Sequence, residues 1–269
     1  MHALSQQPAG AGEVLLRRRR NDGVEELTLN RPAAFNALSE ELLARLTETF
    51  ESLAGDDGLR AVVLRAEGRA FCAGHDLKEM RPHREKAYFD HLFAACSRMM
   101  LAIVALPVPV VARVHGIATA AGCQLVGTCD LAVAARSARF ATSGINTGLF
   151  CSTPAVALSR NVPAKPAFEM LVTGDFVDAE RACALGLVNR VADDDALDEA
   201  VEDLVGRILG KSPVAIRTGK AMFRRQLEMP LAEAYAYAAE VMARNMMARD
   251  VEEGIDAFIG KRPARWEGR

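Results

Sequence analysis

The sequence predicts an α/β protein: a mainly parallel sheet covered by helices on both faces, followed by a helical tail. Three observations carry that prediction. Short, continuously apolar runs at residues 61–64, 108–114 and 131–135 alternate with helical patterns, which is how strands buried on both faces read. Beyond Leu197 the pattern is helical only. A chain of 269 residues, 50% of them hydrophobic, can bury about 70–75% of its unfolded surface and so supports a large core.

Taken in order, residues 1–12 are rich in Ala, Gly, Gln and Pro and read as a loose arm. Two β-prone runs, residues 14–16 and 24–29, flank Asn21-Asp22-Gly23 and read as a hairpin. Arg17, Arg18, Arg19 and Arg20 either lie on its solvated strand or form a nucleic-acid or localisation patch. Ser39 caps a helix, with Glu40 and Glu41 at its positive end and Leu42, Leu46, Phe50 and Leu53 at helical spacing. A second helix runs over residues 84–106, where Pro107 ends it. A third covers residues 120–127. Asp178 caps a short helix, residues 186–191 return to extended structure, and Asp193-Asp194-Asp195 is a solvated turn. In the tail, Leu231, Tyr235, Ala238, Met242 and Met246 form an apolar stripe. The boundary falls near residue 200, between a core over 13–200 and a helical unit over 201–269.

Composition excludes several functions. The net charge of −2 gives no global attraction to nucleic acid or acidic membranes, although a local basic cluster can still hold a small polyanion. No apolar run is expected to reach the roughly 20 residues of a membrane span, because Pro107 and Pro109 break the longest candidate, residues 99–114. The six cysteines form no C-x-x-C pair and the five histidines no H-x-x-x-H pair, so no zinc signature exists and free buried thiols are expected. The first twenty residues lack a secretory core and a long amphipathic pattern, which points to a cytoplasmic location. The nucleotide fingerprints G-x-G-x-x-G and G-x-x-x-x-G-K-[ST], and the G-x-S-x-G elbow, are absent.

Two glycine-centred segments stand out: residues 71–80, after the strand at 61–64, and residues 115–125, after the strand at 108–114. Small residues at a strand-to-helix turn let main-chain N–H groups approach a ligand, or simply allow close packing. Two such N–H groups converging on one point would polarise a carbonyl.

These segments carry a resemblance. Asn30-Arg31-Pro32-Ala33-Ala34-Phe35-Asn36-Ala37-Leu38, Phe71-Cys72-Ala73-Gly74-His75-Asp76-Leu77 and the stretch 116–130 resemble the crotonase, or enoyl-CoA hydratase/isomerase, superfamily. So do Thr173-Gly174, residues 184–191 and residues 253–258, in the same order along the chain. At finer grain, Gly-His-Asp-Leu-Lys-Glu-Met, Ala-Thr-Ala-Ala-Gly-Cys-Gln-Leu and Gly-Leu-Phe-Cys-Ser-Thr-Pro resemble the enoyl-CoA hydratase domain-containing protein 3 subgroup.

The resemblance implies a crotonase-type α/β spiral of ββα units with a C-terminal helical trimerisation domain. It further implies homotrimers or hexamers, and acyl-CoA thioesters as ligands in fatty-acid or acyl-CoA metabolism. No separate cofactor, metal, nucleic acid or membrane is expected, because coenzyme A is part of the substrate. By position, the main-chain N–H groups of His75 and Ala121 would form an oxyanion hole. Ala34, Ala37, Ala73, Gly74, Asp76, Leu77 and Gly122 would line the CoA channel. Lys78, Phe258 and Lys261 would contact CoA, the last two often across subunits.

The departures from the family pattern concern catalysis. Hydratases of this family use two glutamates, and this chain has Gln124 and Gly144 in their places; a third acidic position, used by some isomerases, falls at Ser152. Gln124 can hold a water but cannot shuttle a proton near neutral pH. Gly144 is expected to hold a backbone angle that Glu tolerates poorly. Cys151 is a packed thiol or a nucleophile. Asp130 anchors backbone, His115 is structural, and Glu79 and His83 lie beyond the channel mouth. Standard hydratase activity is therefore expected to be weak or absent. The chain is a lyase or isomerase by resemblance or, alternatively, a catalytically silent acyl-CoA binder or regulatory trimer subunit.

Overall fold

The hairpin forms around its turn. Leu15–Arg19 (β1) and Val24–Leu29 (β2) pair antiparallel, with Gly23 at φ +87° in the connection. β2 carries two carboxylates, Glu25 and Glu26, that are 3% and 6% exposed. The arginines of β1 answer them. Arg17 pairs with Glu25 at 2.9 Å and Arg18 with Glu26 at 2.7 Å. Arg19 pairs with Asp56 at 2.9 Å, and Arg20 with Asp22 and Glu202, both at 2.6 Å. The arginine run is thus committed to this chain's own carboxylates, as buried acids require, and the nucleic-acid reading falls away.

The computed structural model describes residues 12–269; the loose arm expected over residues 1–12 lies, Gly12 apart, outside the described residues. Glu40–Leu53 (α1) begins at Ser39, whose side chain accepts from the Leu42 N–H. Ala61–Ala66 (β3) and Ala70–Cys72 (β4) follow, then the short Leu77–Met80 (α2) and the long Lys86–Ala105 (α3). Val110–Val114 (β5), Ile117–Thr119 (β6), Ala121–Thr128 (α4), Leu131–Ala135 (β7) and Arg139–Ala141 (β8) form the centre of the chain. Ser152–Leu158 (α5), Ala164–Thr173 (α6), Val177–Asp178 (β9), Ala179–Ala184 (α7) and Arg190–Ala192 (β10) complete the strands. Leu197–Leu209 (α8), Pro213–Gln226 (α9), Leu231–Asn245 (α10) and Arg249–Ile259 (α11) end it.

Two sheets result. One runs β1-β2-β3-β5-β7-β10 and is parallel beyond the hairpin; the other runs β4-β6-β8-β9 and is parallel up to the antiparallel β9. Each apolar run feeds the first sheet and the short strand after it feeds the second. The two glycine-centred segments therefore come to lie side by side at β4 and β6.

α3 is 20 residues long with a mean hydropathy of 1.2, so one helix does meet the length and composition of a membrane span, against the sequence expectation. Its apolar face, Leu92, Cys96, Met99, Met100 and Ile103, is buried in the core, and the helix packs on α1 and α4. α8 straddles the expected boundary at residue 200, and its Leu197, Val201 and Val205 are buried against the sheet. α9 is joined to the core by polar groups. Lys220 Nζ donates to Asp130 Oδ2 at 2.6 Å and to the Val108 carbonyl, and Arg224 donates to Asp130 Oδ1 at 2.8 Å. Burial pulls the Lys220 ammonium below its ordinary value even with Asp130 beside it. α11 is fixed through Asp250, 1% exposed, which accepts from Ser212, Glu267 and Gly268.

Asn36 is the pin between the 30–38 loop and β4. It is fully buried at φ +54°, a conformation Asn tolerates better than most residues. Its amide donates to the Glu67 and Ala70 carbonyls at 2.7 and 2.8 Å, and its Oδ1 accepts from Arg31 N at 2.8 Å. Asn36→Ala leaves buried backbone groups unpaired, so a loss of about 3 kcal/mol is expected in urea unfolding; a loss under about 1 kcal/mol contradicts the assignment.

Candidate functional site

The two glycine-centred turns meet in contact. Gly74, at φ +92°, faces the start of α4: a methyl group placed on it would lie 2.9 Å from Ala120 Cβ, 3.1 Å from the Thr119 carbonyl and 3.3 Å from Ala121 N. One residue further, Gly122 lies so close to β4 that a Cβ there would stand 2.0 Å from the Cys72 carbonyl oxygen. Only glycine permits that approach, and glycine at 74 adopts a left-handed angle that L side chains avoid.

The main-chain pattern at this junction leaves two donors free. Leu38 and His75 form a parallel bridge, with Leu38 N donating to Gly74 O at 2.8 Å and Asp76 N to Leu38 O at 3.2 Å. In such a bridge the flanked residue's own N–H points away from the partner strand. Ala121 is the first residue of α4, where the N–H has no intrahelical acceptor. It is 1% exposed, and Ala120 before it, at φ +51°, donates to Ala141 O instead. Among the described residues neither the His75 nor the Ala121 amide has an acceptor.

Polar side chains at the junction are also unpartnered. Among the described residues, His75 Nδ1, His75 Nε2 and Gln124 Oε1 are buried without a hydrogen bond, with Asn245 Oδ1 the remaining case. Gln124 is 6% exposed. Burial pushes the His75 imidazole down to about 4, so the ring is neutral at pH 7. Its ring meets Phe93 edge-on at 5.5 Å, and Phe93 stacks on Phe89 at 6.2 Å. The hydroxyl of Thr119, within the second segment, pairs with that of Ser143 at 2.6 Å.

Gly144 is corrected in one respect. It does not hold a positive φ; the obstacle to a side chain is space. A Cβ there would lie 2.7 Å from Cys151 Sγ and 2.9 Å from Leu149 O. Burial pushes the Cys151 thiol upward from its ordinary value, which favours the packed-thiol reading over a nucleophile. Ser152 is exposed at the start of α5.

The other candidates divide plainly. Asp130 anchors Val110 N, Lys220 and Arg224. His115 Nε2 bonds the Gly68 carbonyl at 2.8 Å. Glu79 accepts from Glu40 N, and His83 stacks on Tyr88 at 3.7 Å. Asp76 caps α2 through Lys78 N and pairs with Arg31 at 2.8 Å. Ala37 and Gly74 are buried, Ala34 and Ala73 half-buried, and Leu77 and Lys78 exposed at α2. Phe258 and Lys261 are exposed near the end of α11, which is tied to the C-terminal residues rather than to these turns. Among the described residues no three His, Cys, Asp or Glu side chains are grouped as a metal ion would need.

Sequence reasoning gave no role to Arg31, Asn36, Thr119, Ser143 or Phe93. Asn36 had a signal, an Asn after an aromatic in a loop, where left-handed conformation is common. Arg31 and Phe93 had none, because their partners lie 45 residues away in Asp76 and across a turn in His75.

Comparison with known proteins gives concordant results. The family model described as enoyl-CoA hydratase/isomerase matches residues 19–269. The Rattus norvegicus protein named enoyl-CoA hydratase domain-containing protein 3, mitochondrial, is 42% identical over 97% of this chain and 88% of its own length. Among solved structures, an enoyl-CoA hydratase from Mycobacterium smegmatis is 60% identical with a TM-score of 0.94, covering 94% of this chain and 99% of that one. The human enoyl-CoA hydratase domain-containing protein 3 is 41% identical with a TM-score of 0.91, covering 94% and 100%. The cytoplasmic location expected from the first twenty residues is overturned by the mitochondrial names of such relatives; one chain end without a long amphipathic pattern does not decide a compartment.

The contact between β4 and α4 has a direct test. Gly122→Ala must push α4 off the Cys72 carbonyl, and a loss of at least about 3 kcal/mol or failure to fold is expected. Gly127→Ala, whose Cβ would make ordinary 3.6 Å contacts, is expected to be neutral or stabilising by about 0.5–1 kcal/mol. Equal unfolding midpoints for the two variants contradict the packing argument.

Proposed function

Because the chain belongs to the enoyl-CoA hydratase/isomerase family, we propose that it binds an acyl-CoA thioester with the carbonyl oxygen between the main-chain N–H groups of His75 and Ala121. The observation that supports this most is the pair of unpaired amides on two turns held in contact at Gly74. Fixed donors aimed at a carbonyl stabilise the negative charge that develops on its oxygen, and one such donor is typically worth about 2.7–4 kcal/mol. The thioester then becomes electrophilic and its α-protons more acidic. Ala34, Ala37, Ala73, Gly74, Asp76, Leu77 and Gly122 line the CoA path, and exposed Lys78 meets its phosphates as a point charge. The role in acyl-CoA metabolism rests on the same family membership.

Hydration needs more than polarisation. Water must lose a proton to a base as it adds, and the α-carbon must gain one from an acid. Gln124 accepts and donates hydrogen bonds but does not change protonation, and Gly144 has no side chain. Its place is filled by Cys151 Sγ. That filling favours a second reading, an acyl-CoA binder or regulatory trimer subunit without turnover.

The chain also completes its CoA site in an oligomer, where Phe258 and Lys261 of one copy reach the CoA of another. Leu231, Tyr235, Met242 and Phe258 are 74%, 73%, 71% and 86% exposed, more apolar surface than a lone helical unit carries. Light scattering is expected to return three or six times 29.0 kDa; a monomer at micromolar concentration contradicts this.

Crotonyl-CoA hydration is expected to be slower than in an ordinary hydratase by at least about several hundred-fold, since one positioned acid or base contributes about 10²–10⁴. Gln124→Glu should raise the rate. Gly144→Glu should not, even with Cys151→Gly alongside, because the Leu149 carbonyl would still lie 2.9 Å from the new Cβ. Wild-type turnover comparable with ordinary hydratases refutes the argument.

A further inference from the structure

The His75 N–H shares one peptide plane with the Gly74 carbonyl, so whatever fixes that plane aims the amide. Leu38 N donates to the Gly74 carbonyl at 2.8 Å, which holds one end of the plane and leaves rotation about that bond open. Before Gly74 the chain is tied by Ala73 N to the Phe35 carbonyl at 3.0 Å. Gly74 itself, at φ +92°, resists backbone rotation less than any other residue would. Beyond it, the Leu38–His75 bridge is isolated rather than part of a ladder, and Asp76 N to Leu38 O is the longest of the three bonds at 3.2 Å. One guanidinium spans this bridge. Arg31 Nη1 donates to the carbonyl of Ala37, the residue before Leu38, and Arg31 Nη2 donates to the carboxylate of Asp76, the residue after His75, at 2.8 Å. Arg31 is itself seated, its N–H on Asn36 Oδ1 at 2.8 Å and its carbonyl on Asn36 N at 2.9 Å. Only 20% of the Arg31 and 11% of the Asp76 side chain is exposed, so the pair is less screened than a surface ion pair.

Resting on the acyl-CoA reading above, we propose that Arg31 is a positioning residue: by clamping Ala37 and Asp76 across the Leu38–His75 bridge it fixes the direction of the His75 N–H, and so sets how strongly the site holds a thioester oxygen. The contact at Asp76 lies off the axis of the Leu38–Gly74 bond and removes the rotation which that bond leaves open. Arginine suits the task because its planar fork meets two acceptors at a set spacing, whereas a lysine ammonium is a point charge on a flexible stem. Asp76 uses its other oxygen to accept from Lys78 N at 3.0 Å, so the same clamp also sets the start of α2. In this role Arg31 acts through its partners and not on the ligand.

Calorimetry on the full chain tests this with butyryl-CoA and S-butyl-CoA, a thioether that keeps the alkyl chain and the nucleotide but has no carbonyl oxygen. The wild-type chain is expected to bind the thioester about tenfold or more tightly, as one or two well-placed hydrogen bonds allow. Arg31→Met keeps the stem and removes the fork; it is expected to cut the preference to about twofold or less while S-butyl-CoA affinity stays within about twofold. Arg31→Lys, which can meet only one of the two acceptors, is expected to fall between, and it decides the matter should Arg31→Met not fold. A merely structural role would weaken both ligands alike. An equal loss for both ligands therefore overturns the proposal, as does a full preference in either folded variant. Equal wild-type affinity for the two ligands refutes the placing of the carbonyl between the amides, and this inference with it. If neither ligand binds the wild-type chain, the acyl-CoA reading itself fails.

Discussion

The contact between the first turn of α4 and the end of β4 is the constraint on which the site depends. Gly122 lets the helix approach the Cys72 carbonyl more closely than any side chain would allow, and Gly74 at φ +92° turns the following loop against Ala120 and Ala121. The consequences are electrostatic. A helix start is driven into the core with its first N–H unpaired, and the β4 loop is bonded to Leu38 in a register that turns the His75 N–H outward. Two orphan donors are expensive to bury, so the surrounding structure must hold them. Asn36 fastens the 30–38 loop to β4, and the Arg31–Asp76 pair fastens the same loop to α2. The Asp130–Lys220–Arg224 cluster adds a charged link from the strand layer to α9, beside the apolar packing of α8 on the sheet.

On the proposed reading, neutral groups, Gln124 and Gly144, stand beside these donors where the family resemblance leads one to expect acids. At 144 no side chain has room, because Cys151 Sγ and the Leu149 carbonyl fill the space it would need. At 124 the glutamine leaves a buried acceptor without a partner. The first arrangement leaves no void to weaken packing, and the second leaves a buried acceptor whose desolvation is uncompensated.

Much of the fold was legible in the chain. The hairpin at Asn21-Asp22-Gly23, the Ser39 cap, the Asp178 cap and the strand Leu131–Ala135 follow from local chemistry and appear as read. Local signals fail where partners are distant. Nothing near Arg17 to Arg20 shows that Glu25, Glu26, Asp56 and Glu202 surround them. The apolar face of α3 reads the same by composition whether it meets lipid or α1. The start of α8 looked like the edge of the tail, yet its Leu197, Val201 and Val205 lie on the sheet, because helical periodicity says nothing about which layer a face meets. At the site, the small residues were visible but not the reason for each. Gly144 suggested an unusual backbone angle, whereas packing against Cys151 explains it. The His75 side chain reads from sequence as merely lining its turn; that both ring nitrogens are buried without a partner is a property of the folded surroundings.

A crystal structure with butyryl-CoA bound tests the central claim most directly. The thioester oxygen is predicted within about 3.2 Å of both the His75 and the Ala121 main-chain nitrogens, with the acyl carbons running toward Gln124. A bound CoA whose thioester oxygen meets neither amide would contradict it, and would leave the close approach of α4 to β4 as packing alone.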